Sequence, residues 1–178
     1  PSSNGNLNID DGHFYNQFIG MEHKPYDEFL RDKQIVFRSS GFKVEDEQLW
    51  SGLFPHQRAL TKYALRKGKA AIFADCGLGK TLIMLEFARH AQRVMGASKR
   101  ILIVSPLMVI DQTMEAVRQF YQPADIDLGF EKVKAKELSR WTQQIGSAIG
   151  ITNYEALQDD TPQGRLGCLI LDESSMLK

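Results

Sequence analysis

The eight residues Ala74-Asp75-Cys76-Gly77-Leu78-Gly79-Lys80-Thr81 have the types and spacing that hold a polyphosphate. Glycines let the backbone curl so that successive N–H groups point inward, and a following helix adds the positive end of its dipole. Lys80 can reach the β- and γ-phosphates of a nucleoside triphosphate, and the Thr81 hydroxyl can ligate Mg²⁺. The first glycine of G-x-x-x-x-G-K-[ST] is replaced here by Ala74. The context is right for such a loop. The apolar run Ala70-Ala71-Ile72-Phe73 precedes it, and a helical pattern runs from Lys80 to about Met95.

A phosphate loop needs acids opposite it before it can do chemistry. Cys168-Leu169-Ile170-Leu171 is a short apolar run that ends in Asp172-Glu173. Such a run reads as a buried parallel strand that delivers carboxylates to the carboxyl edge of a sheet, where ligands bind. Asp172 is placed to hold Mg²⁺, and Glu173 to orient and deprotonate an attacking water. Phosphoryl transfer asks for little beyond such positioning and charge neutralisation. About 90 residues separate Lys80 from Asp172, room for about three βα units of roughly 30 residues each.

Asp172-Glu173-Ser174-Ser175-Met176-Leu177-Lys178 resembles motif II of superfamily 2 helicases and translocases, in the D-E-S-x-x-L-K form of Swi/Snf-type ATPases. It is similar to helicase-like proteins of phages and prophages. Leu53-Phe54-Pro55-His56-Gln57 resembles the Q-motif region, whose glutamine reads adenine. Ser105-Pro106-Leu107 resembles motif Ia and Ile151-Thr152-Asn153-Tyr154 resembles motif Ib, in the expected order.

The resemblance implies a first RecA-like lobe over residues 53–178, preceded by an N-terminal extension over 1–52. It implies ATP as ligand, with Gln57 at the base, residues 74–81 at the phosphates and Mg²⁺ on Thr81 and Asp172. Lys80, Asp172 and Glu173 carry the hydrolysis. Ser105, Pro106, Thr152 and Asn153 are the expected nucleic-acid contacts, with duplex DNA as the track and weak binding from one lobe alone. Such motors use a second lobe with an arginine finger, worth ~10³–10⁵ in rate. That lobe is absent from this sequence, so low activity is expected of the chain alone. An RNA helicase lobe and a non-hydrolysing regulatory module remain as alternatives. Motif II of RNA helicases usually reads D-E-A-D, and Ser174-Ser175 departs from it. A retained Glu173 has no purpose in a pure binder. A small-molecule kinase would need a lid arginine cluster, and none is recognisable.

The elements that must position these residues are legible from pattern. Pro55 suits a first helical position and Gly68 a helix end, which predicts a helix over 55–67 with Gln57 in its first turn. Alternating strand-like and helix-like segments follow: 70–75, 80–95, 100–105, 109–121, about 126–131, 135–145, 147–152 and 167–172. That alternation predicts an α/β fold, a mostly parallel sheet flanked by helices. Residues 1–11 are Ser/Asn/Gly/Asp-rich and read as poorly ordered, Tyr26-Asp27-Glu28-Phe29-Leu30 as a short helix, and 43–48 as a charged connector.

Composition bounds the rest. The 178 residues, 43% hydrophobic, support one domain with a real core. Lys plus Arg balance Asp plus Glu at 22 each, so no global basic field advertises nucleic acid. Two cysteines and no long apolar run or signal peptide predict reduced thiols in a cytoplasm, with no membrane contact, and the resemblance implies that of a bacterial or phage-infected cell. The four histidines lack metal-ligand spacing. Trp50 and Trp141 read as packing residues. Lys132, Lys134 and Lys136 read as an exposed edge. Phe42, upstream of Gln57, fits either an adenine-stacking aromatic or simple packing.

Overall fold

The computed structural model describes residues 39–96, 99–146, 148–159, 162–164 and 166–173. The chain divides into Pro1–Arg38, outside the described residues, and a second unit from Ser39 onward. The helix expected over 26–30 falls in the first unit, and Ser174–Lys178 are also outside the described residues.

In the second unit, α1 spans Pro55–Lys67 and α2 spans Lys80–Met95. Strand β1 (Arg100–Ser105) leads into α3 (Leu107–Ala116), which runs on as a π-helical turn over Val117–Tyr121. Then come β2 (Phe130–Lys132), α4 (Leu138–Gln143), β3 (Ile149–Asn153), a short α5 (Ala156–Asp159) and β4 (Leu166–Leu171). The bounds of α1, α2 and β1 coincide with those read from the sequence. Pro55 opens α1 where its missing N–H costs nothing, and Gly68 at φ 75° closes it.

The sheet has the order β2-β3-β1-β4, and every pair is parallel. This is the parallel α/β architecture the alternation predicts, with helices on both faces. Strand β1 lies in the middle, with all six residues buried. Ile101 and Ile103 face α2 and α3 through Leu85, Ala88, Ile110 and Tyr121. Leu102 and Val104 face the other way, onto Leu138, Trp141 and Tyr154. Period-two alternation therefore feeds two cores at once.

One segment differs from the pattern. Residues 70–75 form no strand, and Phe73 is 96% exposed. Apolar character alone does not make a strand: residues 70–75 line a cleft beside β4 without pairing with it. Strand β4 consequently stands at the sheet's margin, with Leu169 half exposed and Leu171 partly exposed. Residues 39–52, the described part of the extension expected over 1–52, pack onto α1 and α2. Val44, Leu49 and Leu53 share a core with Leu65, and Phe42 N–H donates to Leu65 O over 2.9 Å. Phe42 thus packs beside α1. The connector over 43–48 contains a turn of 3₁₀ helix, Asp46–Gln48.

Candidate functional site

The phosphate-loop residues join α1 to α2. Gly77 and Gly79 adopt φ of 83° and 72°, left-handed values that glycine tolerates and most side chains do not. Gly79 is also boxed in, since a Cβ there would meet Gln57 Nε2 at 2.2 Å. Lys80 is the first residue of α2. Its ammonium folds back across the loop, donating to Ala74 O over 3.1 Å and standing 3.7 Å from Glu173 Oε1. Ala74, in place of the usual glycine, contributes through its carbonyl. Asp75, Cys76, Gly77 and Leu78 are exposed.

The acids come from the end of β4. Asp172 N–H donates to Val104 O over 2.9 Å, which continues the β1–β4 ladder by one residue. Its Oδ2 accepts from Ser105 Oγ at 3.0 Å, and its carbonyl accepts from Tyr154 OH at 2.5 Å. Burial, then the charges of Asp172 and Glu173, push the Tyr154 hydroxyl above its ordinary pKa, so it stays a donor. Glu173 is exposed and holds φ of 53°, a strained value for a non-glycine residue, of the kind that clusters at functional sites. Lys80, Asp75, Asp172 and Glu173 open into one cleft of about 760 Å³, walled on its apolar side by Ile72, Phe73, Ile83 and Leu171. The donor set fits a polyphosphate with its cation. Lys80 stands on one side of the cleft and the Asp172 and Glu173 carboxylates on the other, and carboxylate oxygens are the donors Mg²⁺ prefers.

Gln57 is 2% exposed, and both ends of its amide are engaged. Oε1 accepts from Phe54 N–H at 3.0 Å, as an N3 side chain does when it reaches back to a helix start. Nε2 donates to Leu78 O over 3.2 Å, which ties α1 to the phosphate loop. His56 Nε2 lies at the same distance from the same carbonyl.

Of the four expected nucleic-acid contacts, Ser105 and Asn153 are register partners at the carboxyl ends of β1 and β3. Ser105 is fully buried and faces Asp172. Thr152 is 1% exposed, with Oγ1 donating to Val133 O at 2.9 Å. Both hydroxyls are buried and hydrogen-bonded within the protein. Pro106 and Asn153 are half-buried, and Asn153 Nδ2 donates to Glu155 Oε2 over 2.6 Å.

One constellation escaped the sequence reading. Glu86 is fully buried on α2, with Arg89 and His90 4% exposed beside it. Arg89 Nε donates to Glu86 Oε2 at 3.0 Å, Tyr121 OH to the same oxygen at 3.1 Å, and Trp50 N–H to Oε1 at 2.9 Å. Arg89 also donates to Gln48 O over 2.7 Å. Burial would raise the Glu86 carboxyl, but donors from His90, Arg89 and Trp50 outweigh it and bring it down to about 2. The network clasps residues 48–50, just upstream of α1, to the helix that begins with Lys80. The available signal was three ionisable residues at i, i+3 and i+4, with Glu86 on the stripe of buried Ile83.

Among the described residues there is no group of His, Cys, Asp and Glu arranged to hold a metal by itself, and no helix long and apolar enough to cross a membrane. Cys76 and Cys168 are free thiols, and burial pushes Cys168 up to about 11. No curated protein matches the chain. A family match covers residues 51–174, well over half of the chain, and its limits enclose the Q-like segment, the phosphate loop and both acids. The chain belongs to the family described as type III restriction enzyme, res subunit, and carries its superfamily 2 helicase-type RecA-like domain.

Proposed function

We propose that this chain is the ATP-binding lobe of a DNA motor, closest in kind to Swi/Snf-like translocases, that couples ATP hydrolysis to movement along duplex DNA. The observation that carries the proposal is the convergence of Lys80 with Asp172 and Glu173 in one cleft. Residues more than 90 positions apart meet there, a cation from a helix start facing acids from a strand end.

In this reading the loop 74–81 cradles the phosphates, and Lys80 leaves Ala74 O and Glu173 to reach the β- and γ-oxygens. Thr81 and Asp172 would hold Mg²⁺, which would supply charge neutralisation at the phosphates. Glu173, freed from Lys80, orients the attacking water and takes its proton. Ser105 fixes one oxygen of Asp172, so its part is played at the nucleotide. DNA contact falls to the exposed main chain and side chains around Pro106 and Asn153, which position a strand without reading sequence. A second RecA-like lobe supplies the arginine that completes the transition state.

The test is ATP turnover by the purified chain, with and without duplex DNA, in a verified monomer. Turnover barely above background, little stimulated by DNA, is expected, with DNA binding near or weaker than ~10⁻⁴ M. Robust DNA-stimulated turnover would overturn the dependence on a second lobe. Failure to bind Mg-ATP would overturn the site.

A further inference from the structure

We propose that the outer face of α1, together with residues 43–46, forms a docking groove for an acidic peptide segment that carries an apolar anchor. The surface is separate from the nucleotide cleft and does not rest on the phosphate-loop reading.

Two stripes run along α1. Gln57, Thr61, Ala64 and Leu65 are buried, and Ala64 also stands in the wall of the nucleotide cleft. Arg58, Lys62 and Arg66 recur at i, i+4 and i+8, so they share a different face of the helix. That face and the 43–46 segment line a groove of about 460 Å³, within the size range of ligand pockets. Lys43 adds a fourth cation to it. Among the described residues Asp46 is the one acid in the lining, and Lys62 Nζ already holds it at 3.0 Å. Lys43 pairs with Glu45 at 3.0 Å, but both side chains are mostly exposed, and such pairs are weakly held.

Arg58 is fixed in place. Its Nε donates to Leu53 O at 3.0 Å, Nη2 to Ser51 O at 2.7 Å and Nη1 to Asp46 O at 3.4 Å. These carbonyls orient the guanidinium without cancelling its charge, and a side chain already ordered loses little freedom when a partner binds. Beside the cations lie Pro55, Ala59 and Tyr63, all exposed, Tyr63 to 43%.

Positive charge in the groove of a chain with no net charge calls for an anionic partner. The apolar lining narrows the choice. Backbone phosphates would meet the cations and leave Pro55 and Ala59 uncovered, whereas a peptide with acidic side chains around one apolar side chain satisfies both. Arginine clusters recognise acidic motifs in this way, and arginine with tyrosine commonly anchors interfaces.

The experiment pans a random peptide library displayed on phage against the full chain, with Arg66→Glu as the counter-selecting variant. Peptides retained by the unmodified chain and not by the variant should combine several Asp or Glu with an apolar residue. The tightest of them, made as a labelled synthetic peptide, should bind Arg66→Glu about tenfold or more weakly by fluorescence anisotropy, and Arg66→Lys should restore most of the loss. Tyr63→Ala should weaken binding about fivefold. Melting curves check that each variant folds, and Mg-ATP affinity should be the same in all of them. Retention of the same peptides by both chains, or variant-sensitive peptides without acidic residues, would overturn the proposal. Displacement of the peptide by single-stranded DNA at a comparable concentration would assign the groove to nucleic acid instead. A parallel loss of Mg-ATP affinity in the variants would overturn its separation from the nucleotide cleft.

Discussion

Ser105 Oγ donates to Asp172 Oδ2 across 3.0 Å, which joins the carboxyl ends of two neighbouring strands through one buried hydroxyl. The bond has consequences for both residues. It keeps the Ser105 hydroxyl buried against Asp172, and it occupies one lone pair of Oδ2, so that the remaining carboxylate lone pairs are those open to a cation. The bond also holds the Asp172 carboxylate in one orientation.

Ser105→Ala should therefore weaken the Mg²⁺-dependent part of ATP binding, by about threefold to tenfold, the scale of one hydrogen bond to a charged group. DNA affinity should not change. Titrating ATP with and without Mg²⁺, and DNA separately, checks both halves. A selective loss of DNA binding would return Ser105 to the nucleic-acid surface.

Lys80→Ala should reduce Mg-ATP affinity by at least tenfold, because residues 74–81 carry no other cation. The variant should fold normally. Lys80 is partly exposed and its partner Glu173 half exposed, and such pairs add little to stability. Calorimetry beside a melting curve separates the two effects. Unchanged affinity in a folded variant would refute the phosphate loop.

The sequence disclosed α2 residue by residue because its ends carry their own signals, left-handed Gly79 before Lys80 and Gly96 after Met95. It disclosed β1 because a strand buried on both faces reads as one apolar run. The same rule gave a strand over 70–75, and there it failed. Ala70-Ala71-Ile72-Phe73 has the composition, but pairing is decided by which edge lies alongside, and composition carries no information about that. Gln57 shows the complementary limit. Its position in the first turn of α1 was legible, while the engagement of both amide ends depends on where Leu78 arrives from 21 residues away.

Among the described residues no strand pairs with the outer side of β4, and that margin carries its own expectation. Leu169 is half exposed beside open backbone groups, a combination that templates association between chains. Sedimentation velocity should show the chain self-associating as its concentration rises, and Leu169→Lys should suppress that without altering the melting temperature. A monomer at every concentration would mean that the margin is protected.

The Glu86 clasp should be visible in acid. The carboxyl sits at about 2 in the folded chain against an ordinary value of 4.5, so the folded state binds its proton less readily than the unfolded state does. A depressed carboxylate contributes stability that is fully present above about pH 4.5 and drains away as pH falls towards 2. For a shift of this size the contribution is on the order of 3 kcal/mol. Glu86→Gln should flatten that part of the pH–stability curve, because the carboxamide does not titrate. At neutral pH, Glu86→Ala should cost on the order of 3–5 kcal/mol, since it strands the buried Arg89 charge beside Tyr121 and His90. Tyr121→Phe removes one donor and should cost only about 1–3 kcal/mol. Urea unfolding of the three variants from pH 2.5 to 7 measures all of this. A Glu86→Gln curve parallel to that of the unmodified chain would show that the clasp carries no linked proton.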